Sequence, residues 1–356
     1  MRPDIIEIDE APLPRRELPR LGPQDRDAVL LALHGGSVVD WHGLSFRSYE
    51  EVNQFLKLWL CDPSEHAWAR ERLQYVYNQA VNYLEEHLGL TFRPEVRRPR
   101  DVRDAFLRAS MRERFSRDRI QYCAVLKLVH VINHLEMQEL RSQSAFREID
   151  LIELANEKVL AAAERMRAAL PLRAFYGNRK TRPSVITKLL AKRESTAATV
   201  FDKLRFRIVT ETRDEIVPAL AWLFRNLVPF PAVIPGESVN SLLNAAELEA
   251  LAGDHSEVLA ALRGAKQAVN PHSGAVYQVV NFIVDLPVRV YDIPGVHAPS
   301  RRALLGEAVP VLVEFQVVDA ASEERNEEGE SAHDAYKRRQ RVRVCERLGR
   351  SPNSRR

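Results

Sequence analysis

At Leu170-Pro171-Leu172 the chain changes its pattern, and that change constrains the fold more than any other feature. Upstream, from about residue 24 to 168, apolar residues recur at three- and four-residue intervals. Tyr49–Leu60, Glu65–Leu88, Arg117–Leu140 and Ala145–Ala168 each read as an amphipathic helix. In Arg117–Leu140 the set Ile120, Val125, Leu126, Leu128, Val129, Ile132 and Leu135 forms a broad stripe, which predicts a central supporting helix. Downstream come short β-rich runs: Lys203–Thr210, Val276–Val284 and Val309–Val318 are expected strands, with a shorter one at Val233-Ile234. Between and after them the pattern predicts helices at Ser184–Lys192 and Asp214–Leu227, a helical insertion over about 238–268, and a charged helix from Glu323 to Leu348. Connections of such varied length argue against a doubly wound parallel sheet. The expected class is α+β, a helical domain followed by a mixed-sheet domain.

The expected division is a disordered or extended leader over 1–22, rich in Pro, Arg and Glu, a helical domain over 23–170, an α/β domain over 171–348, and a tail over 349–356. No apolar run approaches the roughly 18 residues that a membrane span needs, and the charged, proline-containing start does not read as a signal peptide, so a cytoplasmic protein is expected. Cys61, Cys123 and Cys345 stand far apart without metal-ligand or disulfide spacing. A net charge of +3 does not by itself point to nucleic acid, and the sequence is silent on oligomeric state.

Local charge is more informative. Arg173, Arg179, Lys180, Arg182, Lys188, Lys192, Arg193, Lys203, Arg205 and Arg207 stand against only Glu194 and Asp202 in the same stretch. Lys180 in a glycine-led loop, Ser184 at a helix start and Lys188 one turn on form a pattern that surrounds a phosphate chain with a cation, a hydroxyl and free backbone N–H groups. A solvated basic helix has the same composition. Asp202, just before a strand, is suited to holding Mg²⁺ on phosphate oxygens or to pairing with Arg205 or Arg207. Glu314 and Gln316, two apart on a strand, share a face in an otherwise apolar run, where polar groups are costly unless paired or functional. Tyr277 is placed for stacking on a base or for packing. His130 and His134 make an HxxxH pair followed by Glu136, but spacing supplies no third ligand, so they read as core histidines. Leu33-His34-Gly35-Gly36 has no GxSxG partner, which removes a hydrolase reading.

Taken in order, Gly177-x-x-Lys180-Thr181-x-x-Ser184, Lys188, Asp202 with Arg207, Tyr277-Gln278, Glu314-x-Gln316 and His333 with Tyr336-Lys337 resemble the synthetase domain of the RelA/SpoT-type alarmone synthetases over roughly residues 173–345. The resemblance implies a nucleotidyltransferase-like fold and Mg²⁺-dependent transfer of pyrophosphate from ATP to the 3′-hydroxyl of GDP or GTP, or to the 3′ end of tRNA as in some toxic relatives. Under it, Gly177, Arg179, Lys180, Ser184, Lys188, Arg205, Arg207, Tyr277, Gln316 and His333 contact nucleotide, and Lys180, Asp202 and Glu314 are catalytic. Asp202 and Glu314 are its metal-binding carboxylates, with Glu314 activating the acceptor hydroxyl. The chain departs from the family at Asn178, where an arginine is usual, at Val276, where a glycine is usual, and at Asn281, where many members carry histidine. Two rival readings are a catalytically degenerate nucleotide sensor of the same fold and an RNA-binding protein whose basic stretch meets backbone phosphates.

Overall fold

The computed structural model describes residues 6–7, 20–34, 45–111, 117–143, 147–179, 186–187, 190, 204–244, 246–248, 277–293, 306–327, 342, 344–346 and 348. The helical half holds α1 (Pro23–His34), α2 (Tyr49–Leu58), α3 (Ala67–Leu88), α4 (Pro94–Arg97), α5 (Arg103–Ser110), α6 (Arg117–Gln143) and α7 (Glu148–Ala169). Local chemistry sets several ends. The Ser48 hydroxyl accepts the Glu51 N–H to start α2, and Gly89, left-handed at φ 64°, closes α3. In α6, Val125 and Leu126 of the expected stripe are buried, but Ile120 and Leu135 are exposed, while Met137 and Leu140, outside that stripe, are buried. The helical period was read correctly, but the face that meets α3, α5 and the sheet is narrower than the stripe.

The second half gives β2 (Leu172–Arg179), β3 (Leu204–Thr210), α8 (Ile216–Asn226), β4 (Val239–Asn240), β5 (Val280–Arg289), β6 (Ala308–Asp319) and α9 (Ala320–Glu327). A capping box between Thr212 and Glu215 opens the short 3₁₀ turn ahead of α8. With β1 (Ile6–Glu7), drawn from the leader, the strands form one mixed sheet in the order β1-β2-β3-β6-β5-β4. Among the described strands only β3 and β6 run parallel; the other pairs are antiparallel. The class is therefore α+β with a mixed sheet. Gly177–Arg179, expected in a loop, are instead the end of β2, and β5 begins at Val280 and continues to Arg289 rather than spanning Val276–Val284. Val233 contributes an isolated bridge to Val284.

One apolar core runs through both halves, from Ala28 through Val125 and Val159 to Phe315 and Ala320. On one sheet face Phe206, Phe315 and Phe282 stand side by side across three strands, with ring centroids 5.9 and 5.7 Å apart, and Phe224 of α8 packs on Phe282. The opposite face meets α6 and α7 at the end where β6 begins. Arg141 donates to the Pro310 carbonyl (3.2 Å), Lys158 to the Pro287 carbonyl (2.6 Å), and His134 Nδ1 lies 3.9 Å from Asp285 Oδ2.

Candidate functional site

The other half of that second face is polar, and the strand register explains why. Asn178, Arg205, Glu314 and Ile283 are successive partners across β2, β3, β6 and β5; Tyr176, Arg207, Gln316 and Asn281 make the next row. Directly paired residues present their side chains to one face, so residues from four separate sequence segments meet there.

Glu314 is buried, and its oxygens are covered by donors: Arg205 Nε at 2.8 Å on Oε2 and Gln316 Nε2 at 3.0 Å on Oε1. The Asn281 amide, turned so that its nitrogen faces β6 as the surrounding donors and acceptors require, gives a further N–H to Glu314 Oε1 at 2.8 Å. A carboxylate at this depth is tolerable because of such pairing. Arg207 has contacts through all three guanidinium nitrogens. Nε and Nη2 donate to Gln316 Oε1 (3.0 and 2.7 Å), Nη1 to both Glu323 oxygens (3.0 and 2.9 Å), and Nη2 to the Tyr277 hydroxyl (2.5 Å). Burial works against its charge, yet Tyr277, Tyr176 and Glu323 hold its pKa above the ordinary arginine value. The Tyr176 hydroxyl donates to Glu323, and burial raises the Tyr176 and Tyr277 phenols.

The expected residues thus divide. Arg205, Arg207, Tyr277, Glu314 and Gln316 come together. Gly177 is close by in sequence but buried on the opposite face, where a Cβ would lie 2.7 Å from Phe206 Cε1. Arg179 is exposed at the end of β2. Lys180, Ser184, Lys188, Asp202 and His333 lie outside the described residues; Ile186, Thr187 and Leu190, within the expected Ser184–Lys192 helix, are helical. Among the described residues no group of three or more His, Cys, Asp or Glu is arranged to hold a metal. His130 and His134 pack against each other at a tilt (ring centroids 4.3 Å apart) and meet Trp59 edge-on (5.4 Å each), while Glu136 pairs with Arg72.

Sequence reading missed Tyr176, Asn281 as a partner of Glu314, and Glu323. Reading 172–179 as a strand paired with 204–210 identifies Tyr176, since alternate positions share a face. Glu323 carries no local signal beyond lying one turn into the helix that follows β6.

Fold and site together define an α+β protein with a buried acid–amide–arginine cluster on one half of a mixed sheet. No protein-family model matches the chain, and no curated protein matches it. Among solved structures, the small alarmone synthetase 1 from Bacillus subtilis is similar at 15% sequence identity and a TM-score of 0.31, over 56% of this chain and 87% of that one. Among the described residues no helix is long and apolar enough to cross a membrane.

Proposed function

We propose that the polar half of the sheet binds nucleotide and transfers pyrophosphate from ATP to a hydroxyl of a guanine nucleotide or of the tRNA 3′ end. The observation that carries the reading is the register. Arg205 with Glu314 and Arg207 with Gln316 are direct partners on adjacent parallel strands, so separate motifs of the family resemblance meet in one cluster. In this reading Lys180, Ser184 and Lys188 grip the phosphates, Tyr277 stacks on the acceptor base, and Glu314 takes the proton from the attacking hydroxyl as AMP leaves. Arg207 belongs to the frame, because its N–H groups are spent on Gln316, Tyr277 and Glu323.

Mg²⁺ would neutralise phosphate charge during transfer. Asp202 is the residue assigned to hold it. Glu314 fits that task only after giving up Arg205, whose guanidinium now covers one of its oxygens. The same pairing favours a second reading, a sensor of this fold that binds nucleotide without turning it over.

Incubation of the full chain with Mg²⁺, ATP labelled in its β- and γ-phosphates, and GDP, GTP or tRNA in turn tests both readings. Transfer abolished by Glu314→Ala and by Asp202→Ala is the expected result. Saturable nucleotide binding without transfer would favour the sensor, and absence of both would refute the site.

A further inference from the structure

Tyr277-Gln278-Val279 precede the β5 ladder, and their main chain is held by side chains. Asn326 of α9, buried at 2% exposure, accepts the Gln278 N–H at 3.0 Å through Oδ1 and donates to the Gln278 carbonyl at 2.8 Å through Nδ2. One amide therefore reproduces both hydrogen bonds of a strand partner. From the other side the Ser241 hydroxyl donates to the Tyr277 carbonyl (2.9 Å) and accepts the Val279 N–H (3.0 Å). Arg325 Nη2 reaches Gln278 Oε1 at 3.1 Å. The phenol of Tyr277 is fixed separately by Arg207, which Glu323, one turn before Asn326, holds in turn.

A tyrosine left to pack needs no such control, since an apolar surface accepts a range of ring placements. Here four backbone groups are tied by two side chains, Asn326 and Ser241, and the hydroxyl by a third, Arg207, and two of the backbone ties come from one helix. We infer that α9 is a positioning element for Tyr277 and that Asn326 is its principal positioning residue. It holds the ring at a fixed height and tilt for a flat ring ligand; this rests on the reading of Tyr277 as the platform for the acceptor base. The link also makes acceptor affinity depend on the docking of α9.

The test uses the full chain, with Asn326→Ala, Asn326→Asp, which keeps the acceptor oxygen but not the donor, and Tyr277→Ala. Two readouts are taken: hydrogen exchange of the 277–279 amides, and binding and turnover with GTP and ATP measured separately. In Asn326→Ala the Gln278 amide should lose its protection, and GTP affinity should fall about 10-fold, the effect of losing two ordinary hydrogen bonds. The KM for ATP and the kcat should stay within about twofold, because the lost contacts touch neither the phosphates nor Glu314. Asn326→Asp should lie between the variant and the parent. Retained protection of Gln278 in Asn326→Ala would overturn the inference. So would lost protection with GTP affinity unchanged while Tyr277→Ala abolishes it, and so would equal losses for GTP and ATP, which mark general damage. Failure of the underlying reading appears elsewhere: a parent protein that binds no guanine nucleotide removes the platform's ligand before any variant is compared.

Discussion

Gly177 is the position where packing and ligand binding make opposite claims on one residue. It stands opposite Phe206 in the β2–β3 ladder, in a row that begins at Ile6 of β1 and continues through Phe315 and Phe282. A Cβ at 177 would meet Phe206 Cε1 at 2.7 Å and Cδ1 at 3.0 Å, whereas carbon atoms in contact prefer about 3.5–4.0 Å. The ring has little room to yield, being fully buried between Phe175 and Phe315 at 6.0 and 5.9 Å. Overpacking of this size costs about 1–3 kcal/mol, and replacing glycine recovers about 0.4–1 through the unfolded chain. Gly177→Ala should therefore destabilise the protein by about 1–2 kcal/mol. Phe206→Leu opens space on that side, so the double substitution should cost less than the sum of the two by about 1 kcal/mol. Urea unfolding followed by far-UV circular dichroism and by tryptophan fluorescence, with coincident transitions, measures both quantities. Unchanged stability in Gly177→Ala, or strict additivity in the pair, would refute the packing argument. If nucleotide binding then fell while stability held, the glycine would belong to the phosphate loop.

Three further outcomes follow from named contacts. Arg207→Leu leaves the half-buried Glu323 with the Tyr176 hydroxyl but no charged partner and should cost about 3 kcal/mol, with Arg207→Leu/Glu323→Leu recovering a large part in the same unfolding assay; no recovery would discount the pair. Burial lifts Asp285 from 3.8 to about 6 against the pull of Arg141, so ionising it opposes folding and its stability contribution declines as pH rises from about 4 to 6. Burial depresses the neighbouring His134 to about 4, which works the other way as pH rises from 4 to 6.5, so the two flatten the parent profile. Asp285→Asn should be the more stable protein at pH 7.5, by up to roughly 3 kcal/mol at 1.36 per unit, and should lose that advantage at pH 4; profiles that run parallel would sink the assignment. Asn281→Asp places a second carboxylate against Glu314 and should lower stability at pH 7.5 more than at pH 4, a difference that chemical denaturation at the two values resolves.

The strands that sequence reading found were those with dense Val, Ile and Phe: β3, β5 and β6. β2 was hidden because Leu172–Arg179 has no β-branched residue and carries a glycine near its end, both ordinary loop signals. It is a strand because Phe175 and Gly177 face the aromatic row while Tyr176 and Asn178 face the polar side, a fact of pairing that no local window contains. The expected strand at Val276 starts late for the same kind of reason, since Ser241 and Asn326 side chains take the hydrogen bonds a ladder would have made. Of the site, Glu314 and Gln316 were legible as polar residues two apart in an apolar run. Tyr176, Asn281 and Glu323 were not, because each owes its place to a partner far along the chain.

One face of the sheet carries two different closures, and the contrast bears on what can bind. Near the start of β6, α6 and α7 cover it with side chains that donate to the Pro310 and Pro287 carbonyls. Toward its end, Arg205, Arg207, Glu314 and Glu323 neutralise one another. A ligand that engages either Arg205 or Glu314 has to separate them without leaving a charge buried and alone, since an orphaned partner costs several kcal/mol. An anion alone satisfies Arg205 and strands Glu314; a cation alone does the reverse. A phosphate carrying a divalent cation supplies both. ATP should therefore bind at least about 10-fold more tightly with Mg²⁺ than with a chelator present, beyond the Mg²⁺ dependence that remains in Glu314→Gln, where no charge is stranded. Calorimetric titration of the parent and of Glu314→Gln, each with and without Mg²⁺, measures the difference. An equal Mg²⁺ dependence in both proteins would mean that the Arg205–Glu314 pair stays closed when nucleotide binds.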